Sequence, residues 1–315
     1  MKRTPRHTRL RTAAALTLLL PALTACTIVS RTVPAADEPI TFASFLPDVT
    51  KAVVESEADM TEFAVWGWHT DAAGATPTAI FNGERIYRDD TVPGSPWTYD
   101  VPRFWVEGHY DFYALYPYPA DGSGVTANCT ADGITSITLD SPNADIDLMT
   151  ATATRDYPGD GDDAVAFTFY HLLSRVSIQA EAGAGAVQIT SLTFSGMYDG
   201  GNYNPATASW DFTDQTADGS ISLPEGNGPI DISPESSVHL LSDLLLIPQT
   251  PTQSCTIVLQ YSVSGQPRTP VTLPIPSEPV WEAGRQYVYT VSVAADVTMT
   301  VDVVDWTVYD FNIEW

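Results

Sequence analysis

Residues 255–263 read CTIVLQYSV and have an apolar side chain at every second position, with mostly polar residues between them. Strict alternation places successive side chains on opposite faces of an extended chain, so this stretch predicts a β-strand with one buried face. The stretches at 286–293, 165–170 and 174–180 repeat the pattern. The side chains predicted to point inward are Ile257, Leu259, Tyr261, Val263, Tyr287, Tyr289, Val291, Val293, Val165, Phe167, Phe169, Val176 and Ile178.

Turn-forming residues separate such segments along the whole chain. The sequence contains 20 glycines and 24 prolines, many of them clustered with Asn and Asp. Dense turns between short alternating segments are typical of β-sandwiches and barrels, and we predict an all-β fold built from sandwiches. One leucine-rich segment, residues 236–248, fits either a helix or a strand, because a proline ends it and β-branched residues flank it.

The N-terminus has the pattern of a secretory signal. Five basic residues fall within the first eleven, and a short apolar run with an internal proline follows them. A basic start, a short apolar run and small residues at the exit are typical of a signal peptide. The run is too short to span a bilayer as a helix. We therefore predict that residues 1–25 are a signal peptide that is removed.

The end of this segment is more specific. Residues 23–26, LTAC, resemble the bacterial lipobox, in which an aliphatic and two small residues precede a cysteine. This resemblance implies that the Cys26 thiol and amine are acylated, and that Cys26 becomes the first residue of a lipoprotein. Several acyl chains hold a soluble domain at a membrane surface far better than one. We expect attachment to the outer membrane through this lipid.

The charge of the chain excludes one class of partner. The full sequence carries a formal charge of −25. Removing residues 1–25 leaves nine basic against 39 acidic residues, which is a formal charge of −30. So acidic a chain repels nucleic acid and anionic lipid, and we expect no nucleic-acid partner.

Two cysteines remain after Cys26, namely Cys129 and Cys255. They lie far apart in the sequence, and we predict two free buried thiols. An oxidising compartment would permit a disulfide between them, which is the alternative. Neither cysteine belongs to a zinc-ligand or redox CxxC pattern, so the spacing predicts no metal and no cofactor.

The chain after the signal is long enough for two domains. Residues 26–40 predict a lipidated tether, since they contain prolines and small residues. The acidic, glycine-rich stretch DYPGDGDD at 156–163 is the predicted linker. We accordingly expect an N-terminal β-sandwich domain over residues 41–160 and a C-terminal one over residues 161–315.

Motifs of catalysis are missing from the sequence. It contains no GxSxG elbow, no HExxH and no phosphate-binding glycine loop with a lysine. The histidines after the signal are well separated, and we expect His171 to cap a turn or to bind a backbone carbonyl. Carboxylates at 160–163 fit a calcium site less well than a solvated acidic turn. We predict that the protein is not an enzyme.

An aromatic block at residues 97–119 leaves two interpretations open. Exposed and roughly coplanar rings of Trp97, Trp105 or Tyr113 would favour a surface lipoprotein that binds glycans. Residues 109–116, HYDFYALY, alternate as a strand does, which favours burial of the rings in a core. The exposure of these rings distinguishes the two interpretations.

Four segments together resemble the fimbrillin superfamily, the subunits of Bacteroidetes-type V pili, and in particular its Mfa-like and major-fimbrium-subunit-like members. They are YDFYALYPY (110–118), DLMTA (147–151), VAFTFYHLLSRVSIQ (165–179) and WEAGRQYVYTVSV (281–293). This resemblance implies two tandem transthyretin-like β-sandwiches after a lipoprotein signal. It also implies a structural role in a cell-surface fimbrium, assembly with other fimbrial subunits by strand exchange, and adhesion to host or bacterial surface ligands.

In the polymerising members of that superfamily, an arginine-specific protease removes an N-terminal segment with the lipid, and a neighbour's strand fills the groove. The basic residues available here before the first long strand pattern are Arg31 and Lys51. Arg31 lies close to the lipid site, whereas Lys51 requires a protease that accepts lysine. The removable strand is predicted within residues 39–46, PITFASFL.

The last nine residues, 307–315, read TVYDFNIEW. Their alternate positions put large apolar side chains on one face of a strand, where most termini are small and polar. This strand either pairs at an edge of its own domain or acts as a donor strand to a neighbouring subunit. Its candidate pocket-filling face consists of Thr307, Tyr309, Phe311, Ile313 and Trp315.

Overall fold

The computed structural model describes residues 39–45, 60–71, 74–89, 95–140, 146–160, 164–213, 215–223 and 228–306. Every regular element in these ranges is a β-strand, which confirms the predicted all-β class, and the strands are numbered β1 to β21 in chain order. All the described residues belong to a single structural unit. Within them, no helix has the length and apolar character needed to cross a bilayer.

A five-stranded sheet forms the centre of the first half of the chain. Its strands are β2 (Glu62–Thr70), β3 (Thr78–Tyr87), β4 (Gly108–Tyr116), β7 (Met149–Tyr157) and β9 (Tyr170–His171). They pair in the order β3-β2-β4-β7-β9, and all the pairs are antiparallel. Residues 63–68 of β2 are all buried, so this sheet is covered on both faces.

One face of this sheet carries the first cluster, a core rich in aromatic rings. A short two-stranded parallel sheet packs into it, formed by β1 (Phe42–Phe45) and β8 (Val165–Thr168). The cluster consists of Ile40, Phe42, Met60, Phe63, Val65, Phe81, Ile86, Trp97, Trp105, Tyr110, Phe112, Ala114, Met149, Ala151, Tyr157, Val165, Phe167 and Phe169. Ile40, the last residue of the predicted tether, is thus part of a core.

A four-stranded sheet joins distant parts of the chain. Its strands are β5 (Val125–Thr130), β6 (Gly133–Leu139), β12 (Gly201–Asn204) and β13 (Ser209–Asp211), which pair in the order β13-β12-β6-β5. The central pair, β6 with β12, aligns Thr138 with Asn202. The Thr138 hydroxyl donates a hydrogen bond of 2.7 Å to Asn202 Oδ1. Two hairpins from different halves of the sequence therefore form one sheet.

The rest of the chain forms two further sheets. The first consists of β10 (Ser174–Ala182), β16 (Ser237–Leu246), β20 (Arg285–Val293) and β21 (Val297–Asp305), in the order β16-β10-β20-β21. The second consists of β11 (Val187–Met197), β14 (Gly219–Ser222), β15 (Ile230–Ile232), β17 (Thr256–Val263), β18 (Gln266–Pro267) and β19 (Val271–Pro274). Strand β16 settles the leucine-rich segment, which is extended rather than helical.

Apolar faces of these two sheets contribute to the second cluster, which extends from Val176 to Val293 in the sequence. The alternation in residues 255–263 and 286–293 is confirmed here: Ile257, Leu259, Tyr289 and Val291 are each 0% exposed. Tyr261 and Val263 pack against the same cluster but are only partly buried. One strand face is therefore buried, as the pattern predicts.

A third set of buried residues, the junction cluster, draws on both halves of the chain. Its members are Ala64, Trp66, Trp68, Leu115, Val125, Ile137, Leu139, Leu148, Leu172, Leu173, Leu245, Ile247 and Trp306. Along the sequence, membership passes from the first cluster at Phe169, through the junction cluster, to the second cluster at Val176. The domain division at 160–161, and the assignment of two transthyretin-like sandwiches, stay predictions.

Candidate functional site

The first candidate site is the aromatic pocket in which β1 packs. The Phe42 ring stacks on Phe167 at a centroid distance of 5.9 Å. It meets the rings of Phe81 at 5.3 Å, Tyr99 at 5.8 Å and Phe112 at 6.0 Å, each edge to face. Such edge-to-face pairs add to the free energy of burial. Phe42 therefore fills a slot whose walls are four other aromatic rings.

The backbone of the segment from Ile40 to Phe45 makes only a short set of hydrogen bonds. Strand β1 pairs with β8 over four residues, from Phe42 with Val165 to Phe45 with Thr168. Just before it, the Ile40 N–H donates to the Arg103 carbonyl at 2.8 Å. The Tyr99 hydroxyl donates to the Ile40 carbonyl at 2.7 Å. Side-chain burial, rather than a long hydrogen-bond ladder, holds this segment.

Most rings of the aromatic block at 97–119 lie in the core, and Phe104, at 46% exposed, is the exception. Trp97 and Trp105 are each 7% exposed, and Tyr110 is 1% exposed. Tyr113 is half-buried against Trp68, and its hydroxyl donates to the Ala131 carbonyl at 3.1 Å. These rings form no exposed platform, so the interpretation as a glycan-binding surface is wrong for this block, and core packing is confirmed.

The second candidate site surrounds Trp306, the last described residue. Trp306 is 5% exposed, and its ring stacks on His171 at a centroid distance of 3.7 Å and an angle of 18°. His171 Nδ1 lies 2.8 Å from Asp147 Oδ1, and both side chains are buried. A carboxylate can only accept, so Nδ1–H donates and the bond orients the imidazole ring. The expected carbonyl or turn-capping role of His171 is wrong, since its partner is a carboxylate.

An ion pair lies beside the same tryptophan. Arg175 is 6% exposed, and its Nη2 lies 2.6 Å from Asp243 Oδ1. Asp243 has a φ of 59° at an irregularity in the pairing of β16 with β10, and its N–H donates to Ser177 Oγ at 3.1 Å. The Arg175 guanidinium is 5.9 Å from the centre of the Trp306 ring. The distorted strand thus places a carboxylate where the buried arginine needs one.

Backbone bonds hold Trp306 from the other side. Its N–H donates to the Gly284 carbonyl at 3.1 Å, and the Gly284 N–H donates to the Leu173 carbonyl at 2.9 Å. The Ser174 hydroxyl donates to the Glu282 carbonyl at 2.9 Å. Three of the four segments that resemble fimbrillins, at 147–151, 165–179 and 281–293, therefore meet around Trp306. Sequence reasoning did not anticipate this meeting point.

The two cysteines are free, as predicted. Cys255 is 0% exposed, and Cys129 is half-buried rather than buried. Burial raises the pKa of each thiol to about 12. In the part of the chain that the structure describes, no group of three His, Cys, Asp or Glu side chains could hold a metal ion.

A second histidine–aspartate pair lies in the open, on β4 and β7. His109 Nδ1 lies 2.7 Å from Asp156 Oδ1, and its Nε2 lies 3.4 Å from Asp111 Oδ1. The hydrogen bond to Asp156 is the largest cause that raises the pKa of His109 above its usual value. The pair is a surface feature, because the side chains of His109 and Asp156 are 45% and 89% exposed.

The remaining predicted site residues lie outside the described ranges. They are Cys26, Arg31, Lys51 and the whole of residues 307–315. Their position in the sequence relative to described strands is still informative. Arg31 precedes β1, Lys51 falls between β1 and β2, and Thr307 directly follows Trp306.

Comparison with known proteins gives the family. Residues 50–306 match the family described as fimbrillin-like. The fold is similar to that of a protein assigned to cell adhesion from Bacteroides ovatus, with a TM-score of 0.52 and 20% identity over 87% of this chain and 100% of the other. A protein of the same assignment from Bacteroides uniformis gives a TM-score of 0.51 and 20% identity over 86% and 99%. No curated protein matches the chain.

The two solved structures show that the fold is similar, and the family match shows the evolutionary relationship. That match covers the first cluster, the junction cluster and the second cluster almost completely. It ends at Trp306, the residue on which the resembling segments meet. Because the match spans most of its length, this chain belongs to the fimbrillin-like family.

Proposed function

We propose that this protein is a structural subunit of a cell-surface fimbrium, acylated at Cys26, that joins other fimbrial subunits by strand exchange and supports adhesion. Membership of the fimbrillin-like family supports a fimbrial or adhesive role and a location at the cell surface. Outer-membrane attachment through the lipid is part of the proposal. The observation that supports strand exchange is the aromatic pocket in which β1 packs.

Strand β1 has the features of a segment that another strand can replace. Ile40 and Phe42, two positions apart, are 1% and 5% exposed, and they supply apolar plugs to the first cluster. Removing the segment would uncover the rings of Phe81, Phe112 and Phe167. Full burial of one such apolar side chain is worth about 1.5–3 kcal/mol, so an opened groove would favour a new occupant.

The proposed donor is the C-terminal segment 307–315 of a neighbouring subunit. Its large apolar residues Tyr309, Phe311, Ile313 and Trp315 recur at every second position. The plugs Ile40 and Phe42 have the same spacing, which a strand in the vacated groove would reproduce. Trp306, immediately before the segment, is buried and stacks on His171, so the donor segment would begin at a fixed residue.

The two candidate processing sites have different consequences. A cut at Arg31 removes the lipid but leaves β1 attached, because β1 lies C-terminal to it. A cut at Lys51 separates β1 from the rest of the chain, because β2 begins later, at Glu62. We therefore propose that a cut on the Lys51 side of β1 is the one that opens the groove.

Deleting residues 307–315 tests the donor. We expect the deletion to abolish fibres in electron micrographs while circular dichroism still reports a folded β-protein. The matched variants are Phe311→Ser/Ile313→Ser, which should also abolish assembly, and Val308→Ser/Asn312→Ser on the opposite face, which should assemble normally. Fibres from the deleted chain would disprove the donor role, and unfolding of the deleted chain would assign the strand to its own domain.

Mass spectrometry of the surface-exposed N-terminus tests processing. We expect a mature chain that begins after Lys51 in assembled fibres, and loss of fibres in Lys51→Gln. The control Arg31→Gln should assemble. Palmitate labelling should be lost in Cys26→Ala, and labelling that persists in that variant would refute acylation at Cys26.

A further inference from the structure

The loop between β3 and β4 presents large apolar side chains to solvent. Val101, Phe104 and Val106 are 63%, 46% and 58% exposed. In the ranges that the structure describes, only three other large apolar residues are exposed. Val101, Phe104 and Val106 differ from those in lying within six consecutive positions. Contiguous exposed apolar groups usually mark a surface that contacts something else. We call Val101, Phe104 and Val106 the apolar patch.

Contacts of Trp105 and of the Val106 backbone keep this part of the apolar patch facing outward. Trp105 points into the first cluster, where its ring stacks on Tyr157 at 5.2 Å. The Val106 N–H donates to the Tyr110 hydroxyl at 2.8 Å, and that hydroxyl donates to the Val106 carbonyl at 2.8 Å. Burial raises the pKa of Tyr110, so the hydroxyl keeps its proton for this bond. Phe104 and Val106 therefore cannot turn inward without loss of these contacts.

The patch lies where the chain leaves for its N-terminus. Pro39 forms a β-bridge with Phe104, and the Ile40 N–H donates to the Arg103 carbonyl. Pro39 lies thirteen positions after Cys26 in the sequence. An extended chain of that length reaches at most about 45 Å. An acyl anchor at Cys26 would thus keep the point where the chain meets the patch within about 45 Å of a bilayer.

We propose that Val101, Phe104 and Val106 rest on the lipid bilayer to which Cys26 is anchored. The proposal rests on the proposed acylation of Cys26 and concerns the form that keeps it. Three side chains would bind a free bilayer weakly, but an anchor raises their effective concentration at the surface. Asp100 and Glu107 flank the patch and are exposed, so zwitterionic lipid suits it better than anionic lipid.

Hydroxyl-radical footprinting of the acylated protein tests this contact. The acylated protein is reconstituted in phosphatidylethanolamine vesicles and compared with the soluble Cys26→Ser mature chain in the presence of the same vesicles. We expect oxidation of the peptide that contains Phe104 to fall several-fold on anchoring. Oxidation of the peptide that contains Val303 and Val304, which are 42% and 47% exposed on β21, should not change.

Two variants complete the test, each compared in its anchored and soluble forms. In Val101→Ser/Phe104→Ser/Val106→Ser the loop peptide should react equally in both forms. In Val303→Ser/Val304→Ser the loop should be protected as in the unsubstituted protein. Equal oxidation of Phe104 in both forms of the unsubstituted protein overturns the proposal. So does protection already present in the soluble chain, which would assign the patch to a protein segment or a second copy. Failure of acylation itself is recognised separately, by the missing lipid mass at Cys26.

Discussion

The first and last described strands are attached to the fold in opposite ways. Strand β1 pairs over four residues, yet Phe42 at its start and Ile40 just before it are almost completely buried. Strand β21 pairs with β20 along nine residues, from Val297 with Val293 to Asp305 with Arg285, yet its side chains are exposed or half-buried. Side chains hold the first strand, and the backbone holds the last.

This difference indicates which end suits exchange. Apolar contacts are non-directional, so another strand with the same side-chain spacing can take them over. A nine-residue ladder is harder to replace, because its hydrogen-bonding groups must find new partners. The N-terminal strand is therefore suited to replacement, and the C-terminal strand is suited to carry whatever follows Trp306.

The largest expected effect concerns the side chain that fills the first slot. Replacing a buried phenylalanine by alanine costs about 3–5 kcal/mol, so we expect Phe42→Ala to lower the free energy of unfolding by that amount. The control Met299→Ala, on a half-buried position of β21, should cost about 1–2 kcal/mol. Urea unfolding of the mature, uncut chain measures both. Equal losses would show that the two strands are held alike.

The next effect concerns the hydrogen bond between Asp147 and His171, which lies beside Trp306. Asp147→Ala leaves His171 Nδ1 without this acceptor in a buried position, and we expect a loss of about 2–3 kcal/mol. His171→Phe keeps a ring against Trp306 but removes the hydrogen bond. In the double variant, the total loss should be smaller than the sum of the two single losses. Additive losses would mean that the two side chains do not act as a pair.

The smallest effect concerns the exposed pair. The pKa of His109 is raised in the folded state, chiefly by Asp156, so folding is favoured when the imidazole is protonated. This contribution is complete below the unfolded pKa of about 6.5 and disappears as the pH rises through the folded pKa. His109→Gln should therefore lower stability slightly at about pH 5.5 and leave it unchanged at about pH 8.5. A loss at both pH values would point to packing rather than charge.

Much of the local structure follows from the sequence. Alternation predicted the buried faces of 255–263 and 286–293, and the pattern in HYDFYALY predicted the burial of Tyr110 and Phe112. These predictions hold because side-chain direction in a strand depends only on position. The free thiols of Cys129 and Cys255 were also anticipated.

Long-range pairing did not follow from the sequence. Nothing in the periodicity indicates that β6 pairs with β12, 62 residues further on, because alternation describes the faces of a strand and not its neighbour. The same limit applies to His171. Its partner Asp147 is 24 positions away, and several strands must assemble before the two meet. The polar residue in DLMTA was the available indication, since Asp147 stands among apolar neighbours.

The low reactivity of its two free thiols makes this protein convenient for site-specific labelling. A thiolate is the reactive form of cysteine, and a pKa of about 12 leaves Cys129 and Cys255 protonated at neutral pH. A cysteine introduced at an exposed position, such as Thr300 on β21, would therefore react far faster than either of them. A single Thr300→Cys substitution could thus receive one dye, and the growth of the proposed filaments could be followed by microscopy on living cells.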